Sequence, residues 1–444
     1  MHGRRLTVAL VAAATAATAG AATNPAGPQL LTYAVAPINV GARVPLGLCA
    51  TDLNGSAFRV TDPHYTARPS WSPDGRSLAA FAPADPPGQD HFSDLVVTDA
   101  QGQHARNLTR NGGRGSVTSV FGWSPDGSEL AANWSGLGQG VFIAKADGTG
   151  TRSVTNTGYG EYVAGESWSP DGKHILLSRS SIGTVQAPAI SVIDADGTNE
   201  RKLVDSADSA AWSPDGSRFA YIAYADGKAS GLGVADADGG NAQLLLQGLN
   251  LIGKPAWSPD GSELAYLVSS DGTDGSLGVI RADGSSGRVL TSGVTGTPQW
   301  SPDGSLIAFT RGPEQTPVVA VVEPDGSGER AIAAGFDPVW RVPAPLPGHR
   351  RPCIVQGTSR ADVIHGTGRG DVILAGRGAD RVYGAGGPDV IVGGPGPDRL
   401  FGGSSADVFG ARDGTRDYVD GGSGSDAGWF DHVDVRPRVE RSHH

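Results

Sequence analysis

The pentapeptide Trp-Ser-Pro-Asp-Gly occurs six times in this chain, and its repetition constrains the fold more than any other feature of the sequence. The copies begin at Trp71, Trp123, Trp168, Trp212, Trp257 and Trp300, so successive copies are 52, 45, 44, 45 and 43 residues apart. A near-constant period in this range is typical of proteins built from repeated supersecondary units. Most of the chain is therefore predicted to be a repeat architecture.

Each period carries two turn signals. Ser-Pro-Asp-Gly favours a type I turn, because Pro presets φ and Gly accepts the left-handed position that follows. Farther along, Asp-Gly lies between apolar runs, as at Asp196-Gly197, Asp238-Gly239 and Asp283-Gly284. Two hairpins give four short strands, A (ending in Trp), B (after the first turn), C and D (before and after Asp-Gly), which is the content of one propeller blade.

These repeats resemble the PD-type propeller repeat of TolB and related extracytoplasmic proteins. The resemblance extends over residues 29–342. It implies a β-propeller fold, and it implies envelope partners only by analogy of fold.

The chain ends of this region predict seven blades and a closed ring. Leu30 to Val35 fits strand B, Leu46 to Ala50 fits strand C, and Phe58 to Val60 fits strand D, but no strand A precedes them. The missing strand is found at Phe336 to Trp340, which keeps the Trp and lacks the pentapeptide. We predict that this last A strand pairs with the first B strand, which removes exposed sheet edges.

Cys49 and Cys353 are the two cysteines of the chain. Cys49 falls in the first blade and Cys353 just after the closing strand, so a disulfide between them would clamp the ring. An oxidising location allows such a bond. Two free thiols remain the alternative.

The N-terminus has the pattern of a secretory signal peptide at residues 1–22. Arg4 and Arg5 precede an apolar run from Leu6 to Ala17, and small residues follow at 19–21. The run is too short to span a bilayer, so we expect no transmembrane segment after its removal. The protein is predicted to be exported, either extracellular or associated with the cell envelope, and its net charge of -11 argues against nucleic acid as a partner.

A second period, of nine residues, follows a proline-rich linker at residues 343–352. Acidic residues recur at Asp362, Asp371, Asp380, Asp389, Asp398 and Asp407, each followed two residues later by an apolar side chain and most preceded by glycines. The pattern resembles the calcium-binding nonapeptide of RTX proteins, which forms a parallel β-roll. The expected fold class is therefore all-β, a seven-bladed β-propeller followed by a parallel β-roll.

The RTX resemblance implies calcium as the cofactor and assigns ligand roles to Asp362, Asp371, Asp380, Asp389, Asp398, Asp407 and Asp426. Asp residues 18 apart would stack in neighbouring coils and hold up to about four ions, with backbone carbonyls completing each shell. Thr358 to Arg360 and Ala375 depart from the glycine pattern, which predicts weaker first sites. The roll is expected at 353–431 with a C-terminal cap after the register slips at Asp417, and 432–444 is expected to be a solvated tail.

Variable B–C and D–A loops share one face of a propeller, and binding residues concentrate in such loops. Their candidates for a ligand face are Asp90, His91, Asp94, Arg110, Arg114, Tyr159, Glu161, Tyr162, Asp271 and Asp274.

The sequence lacks the motifs of the common hydrolases and nucleotide enzymes, namely G-x-S-x-G, H-E-x-x-H and the P-loop. We therefore expect an exported calcium-binding, non-catalytic propeller protein that binds or scaffolds a protein or glycan at the cell envelope or outside the cell. The alternative is a carbohydrate- or peptide-active enzyme that uses the B–C and D–A loop face.

Overall fold

The structure is a computed structural model that describes residues 30–443 except 36–37, 40–42, 45–46, 52, 54–56, 62–65, 84–92, 110–114, 137–138, 156–160, 182–187, 270–274, 314–315 and 342–351. The described residues form strands and turns and no helix, so the all-β prediction is confirmed. The predicted signal peptide and nearly all of the predicted linker lie outside the described residues. None of the described residues belongs to a helix able to span a membrane.

The first part of the chain consists of antiparallel strands. They are β1 (Leu30–Val35), β2 (Ile38–Asn39), β3 (Arg43–Val44), β4 (Leu48–Thr51), β5 (Ala57–Arg59), β6 (Thr66–Trp71), β7 (Ser77–Pro83), β8 (Ser93–Asp99), β9 (Arg106–Asn107), β10 (Gly115–Trp123), β11 (Glu129–Gly136), β12 (Gln139–Lys145), β13 (Thr151–Ser153), β14 (Glu161–Trp168), β15 (His174–Ser181), β16 (Ala189–Asp194), β17 (Arg201–Val204), β18 (Ala207–Trp212), β19 (Arg218–Ala225), β20 (Lys228–Asp236), β21 (Gln243–Gln247), β22 (Leu251–Trp257), β23 (Glu263–Ser269), β24 (Gly275–Arg281), β25 (Arg288–Val294), β26 (Gln299–Trp300), β27 (Ile307–Arg311), β28 (Val318–Val322) and β29 (Arg330–Arg341).

Apart from the β2–β3 pair, the described strands of this part form four separate four-stranded sheets and one eleven-stranded sheet. We divide the larger sheet into three further sets of four, because β25 and β27 pair at a single position and β29 is shared by two sets, and we interpret each of the seven sets as a blade. Five sets take four consecutive strands each, from β6–β9 to β22–β25. The long strand β29 serves two sets, because its first half pairs with β28 and its second half, from Gly335 to Arg341, pairs with β1. The chain thereby joins its last set to its first through β1, β4 and β5.

The repeated tryptophans connect neighbouring sets. Five indole Nε1–H groups donate to an oxygen in the preceding set, at distances of 2.9 to 3.1 Å: Trp71 to Thr32 Oγ1, Trp123 to Ser70 O, Trp257 to Ala211 O, Trp300 to Ala256 O and Trp340 to Gln299 O. The rings themselves are buried or nearly so. Burial of such large side chains between sets supplies both apolar contact area and a fixed orientation.

The Ser-Pro-Asp-Gly turns are stabilised within themselves. In all six copies the Ser hydroxyl donates to the Asp Oδ1 two residues later at 2.6 or 2.7 Å. The Gly of each copy has a positive φ between 66° and 75°. Turn chemistry therefore accounts for the repeated Asp, and its recurrence needs no ring of bound cations.

The second part of the chain consists of short parallel strands: β30 (Val355–Gln356), β31 (Val363–His365), β32 (Val372–Leu374), β33 (Arg381–Gly386), β34 (Val390–Val392), β35 (Arg399–Ser404), β36 (Val408–Ala411), β37 (Tyr418–Ser423), β38 (Ala427–Phe430), β39 (Val435–Arg438) and β40 (Arg441–His443). Even-numbered strands form one sheet and odd-numbered strands the other. Buried apolar residues fill the space between them, including Ile364, Ile373, Val382, Ile391, Leu400 and Phe409. This is a parallel β-solenoid, as the nonapeptides predict.

The predicted solvated tail at 432–444 is wrong. Strands β39 and β40 pair with β37 and β38 and add a further coil beyond the predicted boundary at residue 431. The physical reason is that Asp434 and Glu440 continue the acceptor pattern of the preceding aspartates, accepting from the N–H groups of Asp417 and Asp426 at 3.0 and 2.7 Å.

The two parts of the chain share an apolar cluster. It contains Leu31, Tyr33 and Trp340 of the propeller together with Val372 and Val390 of the even-numbered roll sheet. A disulfide joins Cys49 to Cys353 within this cluster, and the Arg59 guanidinium donates to the Cys353 carbonyl. The even-numbered sheet therefore faces the propeller, and the odd-numbered sheet faces away from it.

Candidate metal centre

The roll aspartates form two hydrogen-bonded ladders, one along each edge. In each ladder the backbone N–H of one aspartate donates to the Oδ1 of the aspartate one coil later, at 2.7 to 3.0 Å. One ladder runs through Asp362, Asp380, Asp398, Asp417 and Asp434, and the other through Asp371, Asp389, Asp407, Asp426 and Glu440, where the acceptor is Oε2. Each ladder hydrogen bond holds one carboxylate oxygen of the accepting residue in place. The other oxygen of that carboxylate is not used by the ladder.

The second carboxylate oxygen is buried without a hydrogen-bond donor at five ladder positions. These oxygens are the Oδ2 atoms of Asp380, Asp398, Asp407, Asp417 and Asp426. A buried anionic oxygen without a partner is costly, because it has lost water and gained nothing in exchange. The chemistry of these oxygens fits a hard cation such as calcium, which binds carboxylates and backbone carbonyls.

Glycines make room for these oxygens. A Cβ placed on Gly402 would lie 2.2 Å from Asp407 Oδ2, one on Gly421 would lie 2.2 Å from Asp426 Oδ2, and one on Gly393 would lie 2.4 Å from Asp398 Oδ2. Backbone carbonyls adjoin the same space, as at Gly402, where the Gly421 oxygen lies 2.6 Å from the added atom. At these three positions glycine is thus needed beside the unpartnered oxygen.

The pKa values of the ladder aspartates also favour a bound cation. Burial, with a smaller contribution from neighbouring carboxylates, raises the pKa of Asp398, Asp407 and Asp417 to about 7. Burial likewise raises the pKa of Asp380 and Asp426. A site that resists negative charge on its own residues is stabilised by a cation placed among them.

The first coil is built differently. Thr358 donates through its N–H and Oγ1 to Asp362 Oδ2 at 2.6 and 2.8 Å. Thr367 does the same to Asp371 Oδ2 at 2.7 and 2.8 Å. Threonine therefore supplies donors where later coils have glycine, in keeping with the departure noted in the sequence.

Sequence reasoning missed Asp417, Asp434 and Glu440 as ladder members. Their signal is present, because the step from Asp398 to Asp417 and from Asp407 to Asp426 lengthens to 19 residues without breaking the ladder. Among the residues that the structure describes, no three His, Cys, Asp or Glu side chains group together as a metal cluster.

Most predicted residues of the propeller's ligand face lie outside the described residues: Asp90, His91, Arg110, Arg114, Tyr159, Asp271 and Asp274. Asp94 is described and is buried, accepting from Asn107 Nδ2 at 2.7 Å and Thr109 Oγ1 at 2.9 Å. Glu161 is exposed and lies 3.4 Å from Arg179 Nη1, and Tyr162 is 45% exposed.

A polar cluster missed by the sequence joins three A strands, β14, β18 and β22. Lys254 on β22 donates to the carbonyl oxygen of Glu166 on β14, which belongs to a set two places away. A link between sets that are not neighbours places both residues on the inner side of the ring, and we call the space that these A strands line the central channel. Asp208 on β18 accepts from the Tyr224 hydroxyl at 2.9 Å beside them.

The cluster holds its ionisable groups in unusual states. Burial raises the pKa of Glu166 to about 7, although nearby Lys254 opposes this. Burial also raises the pKa of Asp208 and lowers that of Lys254. Partial burial, and then the charges of Glu166 and Asp208, raise the pKa of the half-exposed Tyr162 on the same strand as Glu166.

Two segments of the chain match family models. Residues 183–340 match the TolB beta propeller domain, and residues 356–391, 383–415 and 393–427 match the RTX calcium-binding nonapeptide repeat. Both resemblances inferred from the sequence are confirmed for these segments.

An uncharacterized protein of Agrobacterium fabrum is 34% identical over 166 residues, which cover 35% of this chain and 53% of that protein. The chain thus spans about half the length of the curated relative it matches. A solved puromycin-hydrolyzing peptidase of Mycobacterium tuberculosis has a TM-score of 0.52 at 15% identity, covering 76% of this chain and 62% of that one. TolB from Acinetobacter baumannii has a TM-score of 0.46 at 19% identity, covering 62% and 68%. Identities this low relate folds alone.

Proposed function

We propose that this chain, which carries TolB-type propeller repeats and RTX-type nonapeptides, is an exported, calcium-stabilised, non-catalytic protein. It would bind or scaffold a protein or glycan at the cell envelope or outside the cell. The observation that carries the calcium part is the row of buried Oδ2 atoms without hydrogen-bond donors in the roll. Export rests on the signal-peptide pattern at residues 1–22.

Asp380, Asp398 and Asp417 along one edge, and Asp407 and Asp426 along the other, would hold the ions. Bound calcium supplies positive charge between carboxylates that otherwise repel one another and resist ionisation. The ladder N–H groups hold one oxygen of each residue in place, so the other oxygen is oriented for the ion before it arrives. The cost of ordering the site is thereby reduced.

The propeller is the scaffold of this proposal. Its variable loops carry the predicted ligand-face residues, and Glu161 and Tyr162 at the start of β14 lie exposed. Rigid strands that present variable loops are the common arrangement for protein and glycan binding.

The channel cluster supports the alternative, a carbohydrate- or peptide-active enzyme. A carboxyl group with a pKa near 7, such as that of Glu166, has the acidity expected of a general acid or base at neutral pH. Turnover of a glycan or peptide that disappears in Glu166→Gln would replace the non-catalytic proposal.

A calcium titration of the chain from residue 23 onward tests the proposal. Circular dichroism and thermal unfolding are followed from calcium-free buffer to about millimolar calcium, the range of extracellular calcium modules. We expect calcium to increase the β signal and the unfolding temperature of the wild type. The triple variant Asp398→Asn, Asp407→Asn, Asp417→Asn should lose this response.

The matched control is Asp283→Asn, which alters an exposed propeller turn. Its calcium response should equal that of the wild type. A triple variant that responds like the wild type would remove the roll aspartates as calcium ligands.

A further inference from the structure

The outward face of the odd-numbered roll sheet is a second candidate for binding. Strands β31, β33, β35 and β37 pair in parallel with aligned register, so equivalent residues form straight rows across this part of the sheet. The other sheet of the roll packs against the propeller. The odd-numbered face is therefore directed away from the rest of the protein.

One row of this face places two arginines side by side. Arg381 and Arg399 are register partners on β33 and β35, and both are exposed. Neither side chain forms an ion pair or hydrogen bond with any residue that the structure describes. Like charges directly opposite one another destabilise a sheet, so this pair favours an anion from outside.

The adjacent row is aromatic. His365 stacks on Tyr383 with ring centroids 4.8 Å apart, and Tyr383 stacks on Phe401 at 5.1 Å, with interplanar angles of 8° and 9°. Tyr418, which follows the arginines in their own row, tilts against Phe401 at 5.8 Å. The stacked rings stiffen the surface and present amphipathic edges beside the guanidinium groups.

The charge of the roll depends on calcium. Residues 353–444 contain ten Arg, no Lys and thirteen Asp or Glu, so their formal net charge is -3 when His is counted as neutral. Two bound divalent ions would make the sum positive. Arginine, unlike lysine, offers the planar pair of donors that matches a carboxylate.

We propose that this face binds a linear acidic polysaccharide through Arg381 and Arg399, with the aromatic row alongside. The rows repeat at the separation of neighbouring strands, about 4.8 Å, which suits a polymer that itself carries acidic groups at regular steps. Nucleic acid is a poorer fit, because duplex DNA carries one negative charge per about 1.7 Å of its axis, a density that two guanidinium groups do not match. The inference rests on the proposed function in one respect, since calcium loading reverses the sign of the roll.

The test is fluorescence anisotropy of a labelled alginate oligosaccharide, in which every sugar carries a carboxylate, with the full mature protein in millimolar calcium. We expect the wild type to bind and the double variant Arg381→Gln, Arg399→Gln to bind at least about tenfold more weakly, as loss of charge-assisted hydrogen bonds predicts. Thermal unfolding of that variant should be unchanged or higher, because the like-charge pair is gone.

The matched control is Arg377→Gln, Arg412→Gln, which removes the same charge from two exposed arginines outside the strands. Its affinity should stay within about twofold of the wild type, less than one charge-assisted contact contributes. Equal weakening by both pairs, no binding by the wild type, or tighter binding of a single-stranded DNA oligomer would each overturn the proposal.

Circular dichroism of the same samples separates the two proposals. If calcium leaves the circular dichroism signal unchanged, the proposed stabilisation of the protein by calcium is refuted, and the polysaccharide proposal is not. The comparison of the two arginine pairs still decides whether the face binds the oligosaccharide.

Discussion

The two carboxylate oxygens of a ladder aspartate in the roll have different roles. In Asp407, Oδ1 accepts the N–H of Asp389 at 2.9 Å and holds neighbouring coils together, while Oδ2 has no donor. The first oxygen is a structural acceptor and the second is the proposed ligand. The nonapeptide therefore needs Asp at this position, since a residue with one acceptor could perform only one of these roles.

The glycine beside Asp407 gives a sharp prediction at the residue scale. In Gly402→Ala the new Cβ would lie 2.2 Å from Asp407 Oδ2 and 2.6 Å from the Gly421 oxygen, both proposed to face the ion. Calcium affinity, measured by isothermal titration calorimetry, should fall by at least about tenfold, because crowding displaces hard oxygen ligands.

Gly368→Ala is the matched control. Gly368 lies in the same domain, and a Cβ placed there meets nothing within 4 Å. Its calcium affinity should equal that of the wild type. Equal losses in the two variants would show that helix-favouring alanine, and not crowding of the oxygen, disturbs the roll.

At the scale of elements, the A strands combine two roles. Their tryptophans connect each set to the one before it, and residues a few positions earlier extend into the channel. Neighbouring strands β14, β18 and β22 thereby bring Glu166, Asp208 and Lys254 together.

The channel strands predict a pH dependence. Because burial raises the pKa of Glu166 from 4.5 to about 7, the folded protein holds a proton that the unfolded chain has released. Its contribution to stability is therefore fully present below about pH 4.5 and is lost as pH rises through about 7. Urea unfolding across this window should show a stability decline that Glu166→Gln makes shallower.

The groups facing Glu166 set the control for this experiment. Asp208, whose pKa is also raised, contributes in the same direction, whereas Lys254, whose pKa is lowered, contributes in the opposite one. The variant Glu161→Gln removes an exposed acid from the same strand and should retain the wild-type slope. An unchanged slope in Glu166→Gln would refute the assignment.

At the scale of the whole molecule, an apolar cluster and a disulfide join the roll to the propeller. The disulfide from Cys49 to Cys353 closes a loop of 304 residues and lies in the apolar cluster that both parts share. It tethers the start of the roll to the set that contains β1, where the propeller strands close on themselves.

Breaking this tether should lower the stability of the protein. The double variant Cys49→Ser, Cys353→Ser is expected to lose about 2 to 5 kcal/mol of unfolding free energy, the range for loss of a native disulfide. Tryptophan fluorescence in urea reports mainly on the propeller, because eight of the nine Trp residues lie between Trp71 and Trp340. The chemically reduced wild type should match the variant, and equal stability of the oxidised protein and the variant would contradict the prediction.

The sequence by itself determined the strand class, the two periods and the turns. These depend on local chemistry: Pro, Asp and Gly in the pentapeptide specify a turn wherever it occurs, and Asp and apolar residues nine apart specify a coil. Even the unpartnered carboxylates of the roll follow from the repeat, since the coils after the first present their aspartates in the same way. The wrong tail shows the limit of this reasoning, because Asp434 and Glu440 lie outside the regular spacing yet occupy ladder positions.

Only the tertiary structure decided which distant residues meet. Glu166 and Lys254 are 88 residues apart, and they approach because the sets curve around a channel, a property that no single repeat contains. The packing of Val372 and Val390 against Leu31 and Trp340, and hence the exposure of the Arg381 and Arg399 face, was also decided at this level. Local patterns fix the direction of a side chain within its strand, but the docking of one domain on another fixes whether that side chain meets protein or solvent.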